Sequence, residues 1–274
     1  MAEAARELHR AYYPSRLPQS RDPLLLLNSL ATTTEIWRPL LAELTAVTSV
    51  LCLDYPGHGR SPARGLPADL DELSRQILQV MDTLGVHRVH VAGVSIGGMS
   101  ALRLADMVPD RISSITVIGS TPVMDAALWR SRKDIVQHWG TRDLVPDVIR
   151  RWFTPEFCRA HPDIVAEYSG MLESTADSAY AAFSDVLAAS DLRERLSGIS
   201  CPTLIVSGTH DPAATVADGE SMAARIPGAR FAAIDGAAHM LQAMAPARVA
   251  ELIVESVLRG EQGSARIGAV DRRV

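Results

Sequence analysis

The chain has 274 residues, of which 47% are hydrophobic and 22% charged, a length and composition that allow one α/β domain carrying an insertion. Its formal net charge of −5 gives no reason to expect a nucleic acid or an anionic membrane as a partner. The cysteines, Cys52, Cys158 and Cys201, form no C-x-x-C pair, which argues against a disulfide or zinc framework.

Along most of the chain, short apolar runs alternate with longer helical patterns. The predicted strands, in chain order, are Pro23–Asn28, Thr48–Asp54, Val89–Val94, Ile112–Ile118, Thr203–Ser207 and Arg230–Ile234. The predicted helices are Thr34–Leu44, Leu70–Leu84, Ile96–Met107, Gly219–Ile226 and Pro246–Leu258. Such alternation is typical of the α/β class, in which helices cover both faces of a mainly parallel, doubly wound sheet.

The alternation stops between the fourth and fifth predicted strands. Residues 121–198 are rich in Ala, Asp, Arg, Trp and Met at helical spacing and contain no convincing buried strand. We predict that they form a helical cap inserted before the last two strands, because such insertions typically cover a site at the carboxyl ends of the strands. The core then comprises residues 1–120 and 199–259, and the polar segment 260–274 is expected to be a flexible tail.

Ser95 stands where the third predicted strand turns directly into a helix, within the sequence Gly93-Val94-Ser95-Ile96-Gly97. This G-x-S-x-G pattern suits a nucleophile, because a sharp strand–turn–helix exposes the hydroxyl and needs small neighbours where strand and helix crowd together. Small residues also occur at such turns for packing alone, but the strand-to-helix context favours a nucleophile. The segment resembles the nucleophile turn of the α/β-hydrolase superfamily, which implies the α/β-hydrolase fold.

A serine nucleophile needs a base and an orienting acid, which in this superfamily follow in the order Ser, Asp, His. Asp211 lies just after the fifth predicted strand and His239 just after the sixth. Either residue alone could be a helix cap or a surface side chain, but three residues in this order predict a triad of Ser95, Asp211 and His239. His210 is the alternative base, although it adjoins the acid on the wrong connection.

An oxyanion hole requires two N–H donors, one from the residue after the serine and one from an earlier loop. Ile96 supplies the first donor. Alignment of Asn28-Ser29-Leu30, where the first predicted strand ends, with the His-Gly-X loop of the superfamily assigns the second donor to the amide of Leu30. The threonines that follow, Thr32 to Thr34, are expected to cap the next helix.

Beyond the serine turn, several segments carry a more specific resemblance: Asn28-Ser29-Leu30 with Trp37 after it, "GVSIGGM", "RRWFTPEF" in the cap, and "DLRERLSGISCPTLIVSGTHDPAAT". In these segments, residues 22–258 resemble the 3-oxoadipate enol-lactonases of aromatic-ring catabolism. This resemblance implies a serine hydrolase that opens a lactone or carboxylic ester through an acyl-enzyme, with 3-oxoadipate enol-lactone as the expected substrate. No metal or organic cofactor is expected.

An enol-lactone of that pathway carries a carboxylate, so the resemblance also implies a cation in the pocket. The candidate cations of the cap are Arg130, Arg132, Lys133, Arg150 and Arg151. Asn28 from the loop, and Trp129 and Trp152 from the cap, complete the predicted substrate contacts, although cap packing is the favoured role of the tryptophans.

The chain departs from that family at several positions. Pro56 replaces the arginine of its Arg-Gly-His-Gly loop, Ala31 replaces a glycine, and the residues after His239 are apolar. These differences leave open a carboxylesterase, another lactonase or a C–C hydrolase with a more hydrophobic substrate, and less readily a small-molecule receptor built on the hydrolase fold. His58, in the loop after Pro56, is expected to be structural.

No segment pairs a basic stretch with an apolar run of signal length, and none approaches the roughly 18 apolar residues of a membrane span. We therefore expect a soluble, cytoplasmic protein. Its expected partner is a small ester or lactone, with neither a nucleic acid nor a membrane. The sequence makes no prediction about the oligomeric state.

Overall fold

The computed structural model describes residues 8–17 and 22–270, and only the backbone of residues 263–270. Within these residues, a seven-stranded sheet has the order β1-β3-β2-β4-β5-β6-β7. Its strands are β1 (Arg10–Tyr13), β2 (Leu24–Leu27), β3 (Val50–Leu53), β4 (Val89–Val94), β5 (Ile112–Ile118), β6 (Thr203–Gly208) and β7 (Arg230–Ile234). Each pair is parallel except β1 with β3, so the predicted mainly parallel sheet is confirmed.

Helices follow most strands and cover the sheet. They are α1 (Leu41–Thr45), α2 (Leu70–Thr83), α3 (Ile96–Met107), α4 (Ala126–Trp139), α5 (Val145–Trp152), α6 (Pro155–Ala160), α7 (Pro162–Ser174), α8 (Asp177–Ala189), α9 (Val216–Arg225), α10 (Leu241–Met244) and α11 (Pro246–Val270). Over the described part of the chain, no helix has both the length and the apolar character needed to cross a bilayer.

The central strands are apolar along their whole length because both faces of the sheet are covered. The four leucines of β2 are at most 1% exposed, and every residue of β4 and β5 is buried. The bounds of β4, β5 and β7 coincide with the predicted ones. The sequence reading missed β1, a four-residue edge strand whose Tyr12 is exposed, because so short a half-exposed run lacks a clear alternating pattern.

Five helices, α4 to α8, lie between β5 and β6, in the region where the sequence predicts a helical insertion. The two ends of this region meet: Val123 forms an isolated antiparallel bridge with Asp191, and the N–H of Leu192 donates to the carbonyl of Pro122 at 2.8 Å. A further backbone bond joins Ala176, before α8, to the carbonyl of Gly57 in the loop after β3 at 3.0 Å. The helices are therefore anchored to the sheet at more than their two chain connections.

Helix α11 differs from the prediction at its C-terminal end. The predicted helix ends at Leu258, with a flexible tail from residue 260, whereas α11 continues to Val270. One reason is a long-range contact: Glu261 Oε1 lies 3.1 Å from Nε2 of His90, whose ring is buried at the start of β4. Residues 260–270 are therefore helical, and residues 271–274 lie outside the described part.

Candidate active site

Ser95 occupies a strained turn between β4 and α3. Its φ of 57° and ψ of −117° lie in a region that L-residues rarely adopt, a conformation that costs on the order of 1–3 kcal/mol. Two backbone hydrogen bonds hold it, from Ser95 N to the carbonyl of Ile118 at 2.9 Å and from Met99 N to the carbonyl of Ser95 at 3.1 Å. The hydroxyl of Ser120 also donates to the Ser95 carbonyl at 2.7 Å.

The glycines around Ser95 are required by close backbone approach. A Cβ on Gly93 would overlap the carbonyl group of Gly97, and a Cβ on Gly97 would overlap the carbonyl oxygen of Leu27. Helix α3 can therefore begin directly above β4 only if both positions lack side chains. The G-x-S-x-G pattern of the sequence follows from this crowding.

Asp211 and His239 meet at the same edge of the sheet as Ser95. Asp211 follows β6 and His239 follows β7, and His239 Nδ1 lies 2.8 Å from Asp211 Oδ2. The other carboxylate oxygen of Asp211 accepts the N–H groups of Ala213 at 2.8 Å and Ala214 at 3.1 Å. Because a carboxylate only accepts hydrogen bonds, Nδ1 carries the proton and the lone pair of Nε2 is left for a substrate-side partner.

The alternative base, His210, lies elsewhere. Its side chain is exposed, and its Nδ1 contacts the hydroxyl of Thr209 at 3.2 Å. It does not line the cavity that Ser95 and His239 share. The structure therefore places His239, and not His210, in the cavity that Ser95 lines.

Ser95 and His239 share a cavity of about 210 Å³ between the sheet edge and the inserted helices. From the core it is lined by Ser29, Leu30, Ser95, Pro212, Ala213 and His239. From the insertion it is lined by Met124, Asp125, Leu128, Trp129, Arg132, Val148, Arg151, Trp152 and Tyr180. The sheet thus contributes Ser95 and His239, the predicted nucleophile and base, and the insertion contributes most of the remaining wall.

The two predicted oxyanion donors come from the turns beside this cavity. Ile96 is the first residue of α3, so its N–H is among those that have no partner within the helix. Leu30 lies in the loop after β2, where Ala31 has a φ of 62° and the hydroxyl of Thr32 donates to the carbonyl of Ser29 at 2.9 Å. Thr33 then caps the following turn by accepting from the N–H of Glu35, as predicted for this threonine run.

Asn28 does not reach the cavity. Its side chain is fully buried, donates to the carbonyl of Leu53 at 3.0 Å and accepts from the indole N–H of Trp37 at 2.8 Å. Both ends of the amide are therefore used to join β2, β3 and the helical turn after β2. The expectation that Asn28 contacts the substrate is wrong for this reason.

The candidate cations separate into two groups. Arg132 and Arg151 line the cavity, as do the predicted tryptophans, Trp129 and Trp152. Arg130 and Arg150 have exposed side chains outside the lining, and Lys133 pairs with Asp185 at 2.7 Å, also outside it. The structure therefore contradicts Arg130 and Lys133 as pocket residues and adds Arg151, a residue that the sequence named only as one of several cap cations.

Arg132 is buried in the cavity wall with few partners. Its guanidinium lies 5.0 Å from the ring centroid of Trp129, and one terminal nitrogen donates to Asp147 Oδ2 at 3.2 Å. Its Nε is buried and has no hydrogen-bond partner among the described residues. Burial raises the pKa of the neighbouring Tyr180 to about 12, a rise that the Arg132 charge opposes. Tyr180 and Asp147 were missed by the sequence reading, because no local signal separates them from other cap residues.

His58 is buried away from this cavity. Its Nδ1 contacts the carbonyl of Pro56 at 3.0 Å, and its ring packs against Tyr55 and against Phe183 of α8. Burial lowers the pKa of His58 to about 4, so the ring is neutral at physiological pH. These contacts suit the structural role that the sequence predicts.

One cluster outside the cavity offers atoms that suit a metal ion. Asp22, His90 and Glu261 bring one ligand atom each to within 4.8 Å of one another. Asp22 also lies 3.7 Å from Nε of Arg88, and His90 contacts the hydroxyl of Ser114 at 2.8 Å. Because His90 is at the start of β4 and Ser95 follows its end, the cluster lies at the opposite edge of the sheet from the serine.

Comparison with known proteins gives consistent results. A family profile described as alpha/beta hydrolase fold matches residues 22–246. A 3-oxoadipate enol-lactonase of Acinetobacter baylyi is 34% identical over 81% of this chain and 84% of its own length. A putative carbamate hydrolase of Azorhizobium caulinodans is 29% identical over 82% of this chain and 86% of its own. The crystal structure of the enol-lactonase from Burkholderia xenovorans has a TM-score of 0.88 at 30% identity, covering 92% of this chain and 96% of that one. The predicted fold and the predicted resemblance are both confirmed.

Proposed function

The chain belongs to the α/β-hydrolase family and is an enzyme that acts on ester or lactone bonds, and we propose that it opens a carboxylate-bearing enol-lactone through an acyl-enzyme on Ser95. The observation that carries this proposal is the buried guanidinium of Arg132 in the same cavity as Ser95 and His239. A buried cation in the wall beside the serine favours a substrate that brings a negative charge.

The proposed reaction begins with proton transfer from the Ser95 hydroxyl to Nε2 of His239. Asp211 holds the imidazole through Nδ1 and stabilises the imidazolium that forms. The serine oxygen attacks the lactone carbonyl, and the N–H groups of Leu30 and Ile96 stabilise the tetrahedral oxyanion.

Collapse of the tetrahedral intermediate breaks the ring C–O bond and leaves the acyl group on Ser95. The leaving oxygen departs as an enolate, takes the proton from His239 and ketonises while still attached to the acyl chain, which makes ring opening strongly favourable. His239 then activates a water molecule, which hydrolyses the acyl-enzyme and regenerates Ser95. These steps use only groups of this chain and water.

The cap arginines account for substrate preference in this proposal. The triad treats a charged lactone and a neutral ester alike, so the preference must arise from binding. A charge-assisted hydrogen bond from Arg132 to the substrate carboxylate contributes about 1.5–3 kcal/mol. The similarity to 3-oxoadipate enol-lactonases supports a substrate of this class, and 3-oxoadipate enol-lactone is the specific candidate.

A neutral, more hydrophobic ester is the second candidate substrate. It is favoured by the apolar part of the cavity wall, which includes Met124, Leu128 and Val148 with the two tryptophans. It is also favoured by Pro56, at the position where the enol-lactonases commonly carry an arginine.

The two candidates are separated by comparing 3-oxoadipate enol-lactone with its methyl ester. Both contain the same reacting lactone and differ in the distal charge. We expect kcat/KM for the acid to be at least about 10-fold higher, the factor that corresponds to a little over 1 kcal/mol. Equal or greater turnover of the methyl ester would overturn the proposed substrate. Loss of all turnover in Ser95→Ala is the control that assigns the activity to this site.

A further inference from the structure

Asp147 of α5 is the carboxylate around which the cap arginines gather. Its Oδ2 lies 3.2 Å from Arg132 and 3.8 Å from Nε of Arg151, and its Oδ1 lies 3.3 Å from Arg150. Burial alone would raise the pKa of Asp147, but the hydrogen bond and charge of Arg132, together with the other two arginines, hold this pKa below its usual value. Asp147 is therefore ionised at neutral pH.

Two of these three arginines face the cavity. Arg150 has a side chain that is 70% exposed and lies outside the lining, whereas Arg132 and Arg151 line the cavity beside Ser95. Arg132 has a further buried donor, Nε, without a hydrogen-bond partner in the described residues. Both arginines can therefore meet a ligand in this cavity, and Arg132 is the more buried of the two.

Asp125, the acid that lines the cavity, is engaged elsewhere, whereas Asp147 lies behind the lining. Asp125 accepts the N–H groups of Ala127 at 2.9 Å and Leu128 at 3.3 Å, and so caps the start of α4. Asp147 is thus the acid that the structure places against Arg132 and Arg151.

We infer that Asp147 is an internal counterion that competes with the substrate carboxylate for Arg132 and Arg151, and so sets both the affinity and the charge selectivity of the cavity. In the empty cavity, Asp147 offsets the cost of burying Arg132 without a partner. When an anionic substrate binds, its carboxylate shares the guanidinium donors, and the repulsion from Asp147 weakens binding. The inference rests on the proposed function for the identity of the anion, but the competition itself can be measured with any small carboxylate.

The consequence is that removal of the Asp147 charge should improve binding of anions. Asp147→Asn keeps the size of the side chain and one acceptor oxygen. It removes one negative charge, so the net charge of the site rises by one unit. We expect the KM for the enol-lactone acid to fall about three- to tenfold, the range for loss of a half-exposed charge interaction of roughly 1 kcal/mol. The ratio of kcat/KM for the acid to that for its methyl ester should rise by the same factor.

Ligand-induced thermal shifts give a readout that does not depend on turnover. Without ligand, Asp147→Asn should unfold at a lower temperature than the wild type, because Arg132 has lost its counterion. Saturating pentanoate should raise the Tm of Asp147→Asn more than that of the wild type. The neutral isostere pentanamide should produce no such difference between the two proteins. Asp147→Ser serves as a second variant if the asparagine variant does not fold.

Asp185→Asn is the matched control, since Asp185 pairs with Lys133 in the same cap but outside the cavity. It should leave the KM for the acid and the pentanoate shift at their wild-type values. A higher KM in Asp147→Asn would mean that Asp147 only positions Arg132. An unchanged KM and an unchanged Tm shift would mean that Asp147 does not compete with the substrate carboxylate. Either result overturns the inference. If the enol-lactone is not a substrate but pentanoate still binds more tightly to Asp147→Asn, the substrate proposal fails and the inference stands.

Discussion

His239 and Asp211 are 28 residues apart, on loops after different strands, and are joined by a 2.8 Å contact between Nδ1 and Oδ2. The second oxygen of Asp211 is held by two backbone N–H groups, so the carboxylate has little freedom to turn away. The orientation and tautomer of the imidazole are therefore determined by the packing of two loops that parallel strands bring together.

The first prediction concerns this contact. Asp211→Asn should fold normally but lose on the order of 10⁴ in kcat, because asparagine can donate to Nδ1 and so favours the wrong imidazole tautomer. Steady-state turnover of a simple ester measures the loss, with circular dichroism as the test of folding. His239→Ala should lose far more activity than His210→Ala, which removes an exposed ring outside the cavity. The reverse order would show that the base is assigned to the wrong histidine.

The second prediction concerns the nucleophile. Ser95 should be the serine labelled by a fluorophosphonate probe, because attack requires the activated hydroxyl at the strained turn. Ser95→Ala should abolish labelling and lower kcat by about 10⁶-fold. Mass spectrometry of the labelled peptide locates the adduct. Ser120→Ala is a useful comparison, since the Ser120 hydroxyl donates to the Ser95 carbonyl. The probe should still label the Ser120→Ala variant at Ser95.

The third prediction separates the cap cations. Arg132→Ala should raise the KM for the enol-lactone acid roughly 10- to 100-fold, because a charge-assisted hydrogen bond to the carboxylate is lost. The effect on the methyl ester should be smaller. Lys133→Ala is the matched control at the next residue. Its KM for both substrates, measured by initial-rate kinetics, should equal that of the wild type. Equal effects of the two substitutions on KM would contradict the assignment of Arg132.

The fourth prediction follows from the pKa of His58, which burial lowers from 6.5 to about 4. Between these pH values the unfolded chain binds a proton that the folded chain does not bind. The contribution of His58 to the free energy of unfolding is therefore constant above pH 6.5 and decreases as the pH falls toward 4, by up to about 1.4 kcal/mol per pH unit.

Denaturant unfolding between pH 7.5 and pH 4.5 measures this slope. His58→Gln should be less stable at pH 7.5, because the packing against Tyr55 and Phe183 is lost, but its stability should depend less steeply on pH. His138→Gln, at an exposed position, should keep the wild-type slope. A His58→Gln slope equal to that of the wild type would show that His58 does not titrate in this range.

Much of the fold and of the candidate site could be predicted from the sequence because the determinants are local. Continuous apolar runs identify strands that are buried on both faces, and the bounds of β4 and β5 were predicted to the residue. The glycines at 93 and 97 specify a turn so crowded that a Cβ would overlap backbone at each position. The order Ser95, Asp211, His239 places all three after parallel strands, and such strands end at one edge of a sheet.

The tertiary structure alone decided which polar residues face the cavity. Helix periodicity could group Trp129 with Arg132 on one face of α4, but it could not say which face is turned toward the serine, since that depends on how α4 packs against the other cap helices. The amide of Asn28 is engaged by Trp37 and by the carbonyl of Leu53, and the C-terminal helix is anchored through Glu261 to His90. Asp147 meets Arg132 of α4 in the same way, whereas its contacts with Arg150 and Arg151 follow from i,i+3 and i,i+4 spacing on one helix. Partners distant in sequence, or the packing of whole helices, determine these positions, whereas a local sequence pattern reports only on neighbours along the chain.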